Sequence, residues 1–353
     1  MLFPTITEQV AASIRQDLLN GRWLGTLPGR HQLSRDLEVN HKTVDAALAL
    51  LEDEGILVNQ GVGRKRRILI PEGGIQTPKL RVAFLHYTQQ EQPDQWILDM
   101  QQRLLYLGHK PFSANNTLKG LGMDPGRIAR LVKRTPADAW LVSAASKEVL
   151  EWFSQQETPA FSLFGVRSGI PMAGTGPDKS MPIAELTRRL VGLGHGRISF
   201  ICRRQIRLPQ PSQGILSFIK ELEAAGIEPG PFNLPDWEEN AGGFRQCLDS
   251  LFKVTPPTAL ILDEPYLFHG AFHHLVRNGL RVPEDVSLIC TDPDPGFAWC
   301  SPSVAHISWD TSQAVRRILR WLNNVAAGKD DRRQTYTKAV YVEGGTVAPV
   351  PKK

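Results

Sequence analysis

A chain of 353 residues has room for two or three domains, each with its own core. At 41% hydrophobic and 22% charged residues the composition is that of an ordinary globular protein, and no run of about 18 apolar residues marks a membrane span. The formal charge of +5 permits a polyanionic partner without demanding one. The start "MLFPTITEQV" lacks a basic stretch followed by an apolar run, so no signal peptide is expected. Cys202, Cys247, Cys290 and Cys300 form no C-x-x-C pair and read as free thiols of a cytoplasmic protein.

Residues 1–70 read as three helices and a hairpin. In "ITEQVAASIRQDLLNG", Ile6, Val10, Ile14 and Leu18 share one face, and Gly21 ends the run. "GRHQLSRDLEV" gives a shorter second helix with Leu33 and Leu37 inward. Asn40 caps a third, in which Val44, Ala47, Leu48 and Leu51 form the apolar stripe. "ILVNQGVGRKRRILI" then places two β-prone runs around a basic, glycine-containing tip. Three small helices closed by a hairpin make a winged helix-turn-helix.

"PEGGIQTPK", residues 71–79, is a Pro/Gly linker, and the pattern changes after it. From residue 80 to 353, apolar runs such as "LRVAFLHY", "ADAWLVSAA", "TPAFSLFG", "RISFICR", "PTALILDE" and "DVSLICTD" alternate with amphipathic helices. Repeated βα units predict an α/β region of parallel sheets covered by helices, divided into two lobes, with ligands beyond the carboxyl ends of the strands.

The third helix and the hairpin suggest a use for the first region. The second helix of a helix-turn-helix sets its N-terminal residues against base edges in the major groove. Asn40, His41, Lys42 and Thr43 suit that place: Asn pairs with adenine, Lys with guanine, and Thr with phosphate. Residues 1–70 hold nine Lys/Arg and eight Asp/Glu, so charge is segregated and not in excess. Arg64, Lys65, Arg66 and Arg67 crowd the wing, while Glu52, Asp53 and Glu54 lie at the far end of the third helix. A basic cluster alone is usually a solvated face; beside a capped recognition-type helix it points to double-stranded operator DNA.

Residues 6–68 resemble the GntR-type winged helix, through "IRQDLLNGRW", "LPGRHQLSRDLEVNHKTVDAALALLEDEGIL" and "NQGVGRKRRI". The resemblance carries DNA contacts onto His31, Asn40, His41, Lys42, Thr43 and the wing tip around Gly61. The chain departs from the family at Arg30-His31, near His41 and at Asp45, where the family has arginine. Asp45 repels phosphate, so an operator sequence of the chain's own is expected.

Residues 80–349 resemble the effector-binding domain of the LacI/GalR repressors, which shares the fold of periplasmic sugar-binding proteins. "GLGHGRISFI" matches the L-G-H-x-R-I strand entry and "RNGLRVPEDVSLICTDPDP" the G-x-x-V-P-x-D-V-S strand. The resemblance implies a ligand-binding acid at Asp292, a stacking aromatic at Trp237, and Asp263 or Glu264 in place of an Asn-Asp pair. His86 and Tyr87, ending the first strand, and Phe164, ending the fourth, are further candidates by position. Gly214 stands where the family has an arginine. Arg203, Arg204 or Arg207 is the available substitute, which favours an acidic or phosphorylated ligand.

Plainer readings compete at several positions. Trp237 can simply cover a loop, and Asp294, between two prolines, reads as a turn residue. His269 and His273 lie four apart without the Glu of H-E-x-x-H, so they read as surface histidines and no metal is expected. Trp299, Trp309 and Trp321 read as core or lobe-interface residues. With no G-x-G-x-x-G, G-K-S/T or G-x-S-x-G present, no cofactor and no enzyme activity are expected. The expected protein is a cytoplasmic, homodimeric repressor binding operator DNA and a carbohydrate-like effector, with no membrane partner. The alternatives are a winged helix fused to an aminotransferase-like enzyme, and a sugar-binding module without DNA binding.

Overall fold

The structure, a computed structural model, describes residues 5–350 apart from 20, 21, 24, 62, 70–78, 89–94 and 166. The expected helix stop at Gly21 and all of the expected linker but Lys79 therefore lie outside the described residues.

The first helical region forms because three amphipathic segments share one apolar seam. In α1 (Ile6–Leu19), Val10, Ala11, Ile14 and Leu18 are buried. They meet Leu33 of α2 (Arg30–Asp36) and Val44, Ala47, Leu48 and Leu51 of α3 (His41–Asp53). The third helix starts where the Asn40 side chain accepts the Thr43 N–H at 2.8 Å, satisfying one orphan donor of the first turn. β1 (Leu57–Val58) and β2 (Arg67–Ile68) pair antiparallel, and Leu57 and Ile68 close the core from below. Between them Gly61 and Gly63 take φ of 102° and 78°, the left-handed region that the wing turn requires.

The rest of the described chain forms two parallel-sheet lobes. The first sheet has the order β4-β3-β5-β6-β7. Its strands are β3 (Arg81–Leu85), β4 (Lys110–Ser113), β5 (Ala139–Ser143), β6 (Ala160–Leu163) and β7 (Ala173–Thr175). All its pairings are parallel. One face is covered by α5 (Pro125–Arg134) and α6 (Lys147–Ser154). The other is covered by α4 (Gln95–Tyr106) and, from far along the chain, α11 (Thr311–Ala326). Burial on both faces explains why β5, "AWLVS", is buried at every residue and lacks the alternation of a half-exposed strand.

The second sheet has the order β8-β13-β12-β11-β10-β9. Its strands are β8 (Pro177–Asp178), β9 (Ile198–Ile201), β10 (Ala259–Leu262), β11 (Ser287–Cys290), β12 (Ala305–Trp309) and β13 (Thr337–Val342). β13 is antiparallel to β12; the other pairings are parallel. α7 (Ser180–Gly192) and α8 (Gln213–Ala224) pack on one face, α9 (Ala241–Val254) and α10 (Pro265–Arg277) on the other. The L-G-H histidine has a structural task at the base of this sheet. The buried His195 ring joins the Thr258 hydroxyl, at 3.0 Å, to the Ala348 carbonyl, at 2.9 Å.

Because α11 belongs to the first lobe, the chain crosses between lobes at Thr175–Pro177, Trp309–Thr311 and Gln334–Thr337. Arg167 braces two of these crossings: its guanidinium donates to the carbonyls of Thr175 (2.7 Å), Phe164 (3.2 Å) and Thr335 (3.4 Å). No helix among the described residues is long and apolar enough to cross a membrane.

Candidate functional site

Two places carry the expected chemistry. On the winged helix, His31, Asn40, His41, Lys42, Gly61, Arg64, Lys65 and Arg67 are exposed, while Thr43 and Arg66 are half-buried. The rings of His31 and His41 meet edge-to-face, 4.5 Å between centroids, so the start of α2 abuts the start of α3. Three expectations need correction. The Asn40 side-chain Oδ1 accepts both the N–H and the hydroxyl of Thr43, so that oxygen and the Thr43 hydroxyl serve the helix cap. Arg66 is ion-paired with Glu52 of α3, which withdraws it from the basic wing. Asp45 pairs with Arg30 at 3.3 Å, so part of the repulsion expected of it is cancelled within the domain.

The second place is the cleft between lobes. There Tyr87 follows β3, Phe164 follows β6, Arg203 follows β9, Asp263 and Glu264 follow β10, and Asp292 follows β11. All lie at carboxyl ends of parallel strands, where two such sheets face each other. The lobes are bridged across this cleft. The Tyr87 hydroxyl donates to the Glu239 carboxylate, the Lys119 ammonium to the Glu239 carbonyl, and the Gln205 amide to the Ala144 carbonyl at 2.9 Å. The Arg203 guanidinium lies over the Tyr87 ring, 5.6 Å from its centroid. Ala144 and Phe164, at the ends of β5 and β6, hold φ of 50° and 64°, a conformation unusual for residues bearing a Cβ and characteristic of ligand clamps.

Charged groups are concentrated here. The Lys179 ammonium lies 2.6 Å from Asp292 Oδ2, and the Trp309 indole N–H donates to Oδ1 at 3.2 Å. Arg203 Nε donates to Asp263 at 2.9 Å while its Nη2 lies 2.9 Å from Glu264. Burial opposes the charge of Asp263, but Arg203 and Lys179 outweigh it and hold the acid below the usual carboxylate range. Burial, with the negative charge of Asp263, pushes Asp292 up against the pull of Lys179. Glu264 is raised to about 8 by burial and by the charges of Asp263 and Asp292.

An aromatic trio closes one side. Trp96, Phe164 and Trp309 meet edge-to-face, with centroids 5.7 to 6.2 Å apart, and Phe164 also touches the cores of both lobes. His86, just after β3, is 2% exposed and stacked on Phe84. Its Nε2 lies 3.3 Å from the Ser113 hydroxyl, Nδ1 has no partner, and burial lowers the ring to about 4, leaving it neutral.

Several sequence expectations are revised by this geometry. Arg203 is shared between Asp263 and Glu264 and Arg207 is paired with Asp236 at 2.8 Å, so two of the three arginines expected to favour an acidic ligand are already matched, while Arg204 is exposed. A Cβ at Gly214 would meet Cδ1 of Ile183 in α7 at 2.7 Å, so a larger residue there requires the Ile183 side chain to shift. The Trp237 indole N–H donates to the Cys202 carbonyl at 3.0 Å, and its ring packs on Phe244 at 5.5 Å. It braces the loop that delivers Glu239, and its ring contacts are with the lobe core. Trp309 and Trp321 are buried as expected, whereas Trp299 is 91% exposed. Asp294 caps a turn, accepting the Gly296 N–H at 2.6 Å, and His269 and His273 are exposed. Cys202, Cys247, Cys290 and Cys300 are free thiols. Lys179, Glu239 and Trp96 were not legible as site residues. The "PDKS" of Lys179 follows a two-residue strand too short to show a pattern.

Comparison with known proteins agrees with this architecture. Residues 6–64 match the bacterial regulatory proteins of the gntR family, and residues 187–347 match the periplasmic binding protein-like domain. The HTH-type transcriptional repressor PurR of Mannheimia succiniciproducens is 27% identical over 151 residues, which cover 42% of this chain and 44% of that protein. PurR of Haemophilus influenzae is also 27% identical, over 154 residues, 43% of this chain and 45% of the relative. The matched stretch is thus less than half the length of these relatives. A LacI family transcriptional regulator from Enterococcus faecium with bound ribose superposes with a TM-score of 0.61 at 16% identity, covering 76% of this chain and 99% of that one. The lac repressor dimer bound to operator and the anti-inducer ONPF gives 0.61 at 15% identity, with 76% and 94% coverage. The proteins matched are transcription regulators and not enzymes.

Proposed function

We propose that this chain, which joins a GntR-type winged helix to a LacI/GalR-type effector-binding domain, is a ligand-responsive transcriptional repressor acting as a homodimer in the cytoplasm. In this reading residues 1–70 bind operator DNA, residues 71–79 link, and residues 80–353 bind a small polar effector, a sugar or sugar derivative, between the lobes. One observation carries it. A single chain presents an exposed, capped helix start beside a basic wing, and also two lobes meeting over buried charged groups at their strand ends. The ribose held by the Enterococcus faecium neighbour supports a carbohydrate-like ligand.

His41 and Lys42 read base edges while Arg64, Lys65 and Arg67 neutralise phosphate; His31 and Gly61 approach the backbone. Effector contacts fall to Asp292, Asp263, Glu264, Arg203, Tyr87 and Phe164, with His86 next to Tyr87 in the chain. Ligand binding shifts the population between bridged and open lobes, and the dimer converts that shift into a new spacing of its two winged helices. A coupling of about 1 to 3 kcal/mol changes operator affinity roughly 5- to 150-fold. The test is operator binding by fluorescence anisotropy on the DNA upstream of the chain's own gene, with and without ribose and related sugars. Sequence-specific binding altered by a sugar sustains the reading, and equal affinity for operator and random DNA overturns it.

A further inference from the structure

We propose that the inter-lobe cleft takes a small organic cation, a ligand presenting one positively charged nitrogen beside a flat or hydroxylated body. The inference rests on the reading of the cleft as the effector site. Three carboxylates end neighbouring strands, Asp263 and Glu264 after β10 and Asp292 after β11. Among the described residues, the cations paired with them are two, Arg203 and Lys179. Lys179 is committed to Asp292 at 2.6 Å, and Arg203 is divided between Asp263 and Glu264 at 2.9 Å each. One carboxylate therefore has only a shared counter-charge.

An arriving anion would meet three acids with both cations already engaged, and a neutral ligand would leave Glu264 matched only by a shared Arg203 and a proton. An ammonium takes that proton's place. Asp292 already shows the chemistry, holding a primary ammonium, the chain's own, against the Trp309 indole. The Tyr87 ring likewise already carries a cation, the Arg203 guanidinium, 5.6 Å from its centroid.

Glu264 is the acid left to share, facing Arg203, Asp263, Asp292, Lys179 and Tyr266. In the unliganded cleft a proton takes the place of the missing cation, since Glu264 titrates at about 8. A ligand nitrogen that pairs with its carboxylate displaces that proton to solvent, so charge is conserved: one cation enters and one proton leaves.

The experiment is calorimetry on the full chain at neutral pH with glucosamine, agmatine and choline, each beside glucose and glucuronate, in buffers of different ionisation enthalpy. The expected result is binding of at least one cation about 10- to 150-fold tighter than glucose, the range of a hydrogen bond to a charged group. It is accompanied by release of up to one proton. Glu264→Gln, which mimics the protonated acid and keeps the fold, abolishes the release and lowers cation affinity about tenfold. Tighter binding of glucose or glucuronate with sensitivity to Glu264→Gln overturns the cation and leaves the cleft standing. Cation binding with proton release unchanged by Glu264→Gln places the site elsewhere and overturns both. Binding by none of the cations overturns the proposal.

Discussion

Lys179 and Asp292 form an ion pair at 2.6 Å in the heart of the cleft, each side chain 19% exposed. The acid that the sequence marks as a ligand contact is thus also a structural partner, and its loss acts on stability as well as on binding. Asp292→Asn leaves the Lys179 charge poorly matched and is expected to lower unfolding free energy by about 2 to 4 kcal/mol, somewhat below the fully buried case. Adding Lys179→Met recovers part of that loss. Urea unfolding of the two single variants and the double variant checks it; strictly additive losses would show that the pair is uncoupled.

The raised Glu264 gives stability a pH dependence of known sign. Between its ordinary value and about 8 the native acid binds a proton that the unfolded chain has released, so its contribution to stability falls as pH rises through that window. The effect on the slope is at most about 1.4 kcal/mol per pH unit. Glu264→Gln removes this component. Denaturation of both proteins between about pH 6 and about pH 8 is expected to show the variant gaining on the wild type with pH, and parallel curves would contradict the assignment.

Much of this architecture is legible in the sequence. Unbroken apolar runs such as "ALIL" and "SLIC" become β10 and β11 because both faces of the sheet are covered, and Asn40 marks the start of α3 through a bond only three residues long. What escapes the sequence depends on long-range pairing. Nothing in "GRKRR" tells that Arg66 turns back to Glu52, or in "ICRRQ" that Arg203 is matched by carboxylates sixty residues on. β7 and β8, three and two residues long, are too short to carry periodicity, although they set two of the lobe crossings.

On the wing, replacing Arg64, Lys65 and Arg67 by alanine is expected to weaken binding almost uniformly across DNA sequences. Each lost phosphate contact lowers the salt slope by about 0.9. Arg66→Ala behaves otherwise: it frees Glu52, costs stability of the winged helix, and leaves the salt slope nearly unchanged. Affinity measured across a salt series, beside the melting temperature of each variant, separates the two roles. A slope for Arg66→Ala as low as for Arg64→Ala would show that Arg66 meets DNA.

Asn40→Ala removes the α3 cap and is expected to cost about 0.5 to 2 kcal/mol of stability. A drop in DNA affinity without any drop in stability would instead make Asn40 a base-reading residue.

Whether α3 is aimed at a particular base sequence is decided by selecting bound duplexes from a random pool with wild-type protein and Lys42→Ala. A two-fold symmetric consensus is expected for the wild type. Lys42→Ala is expected to lose preference at one position of each half-site, a change of about 1 to 3 kcal/mol, with the rest of the consensus intact. No enrichment over the starting pool by folded wild-type protein would contradict that expectation.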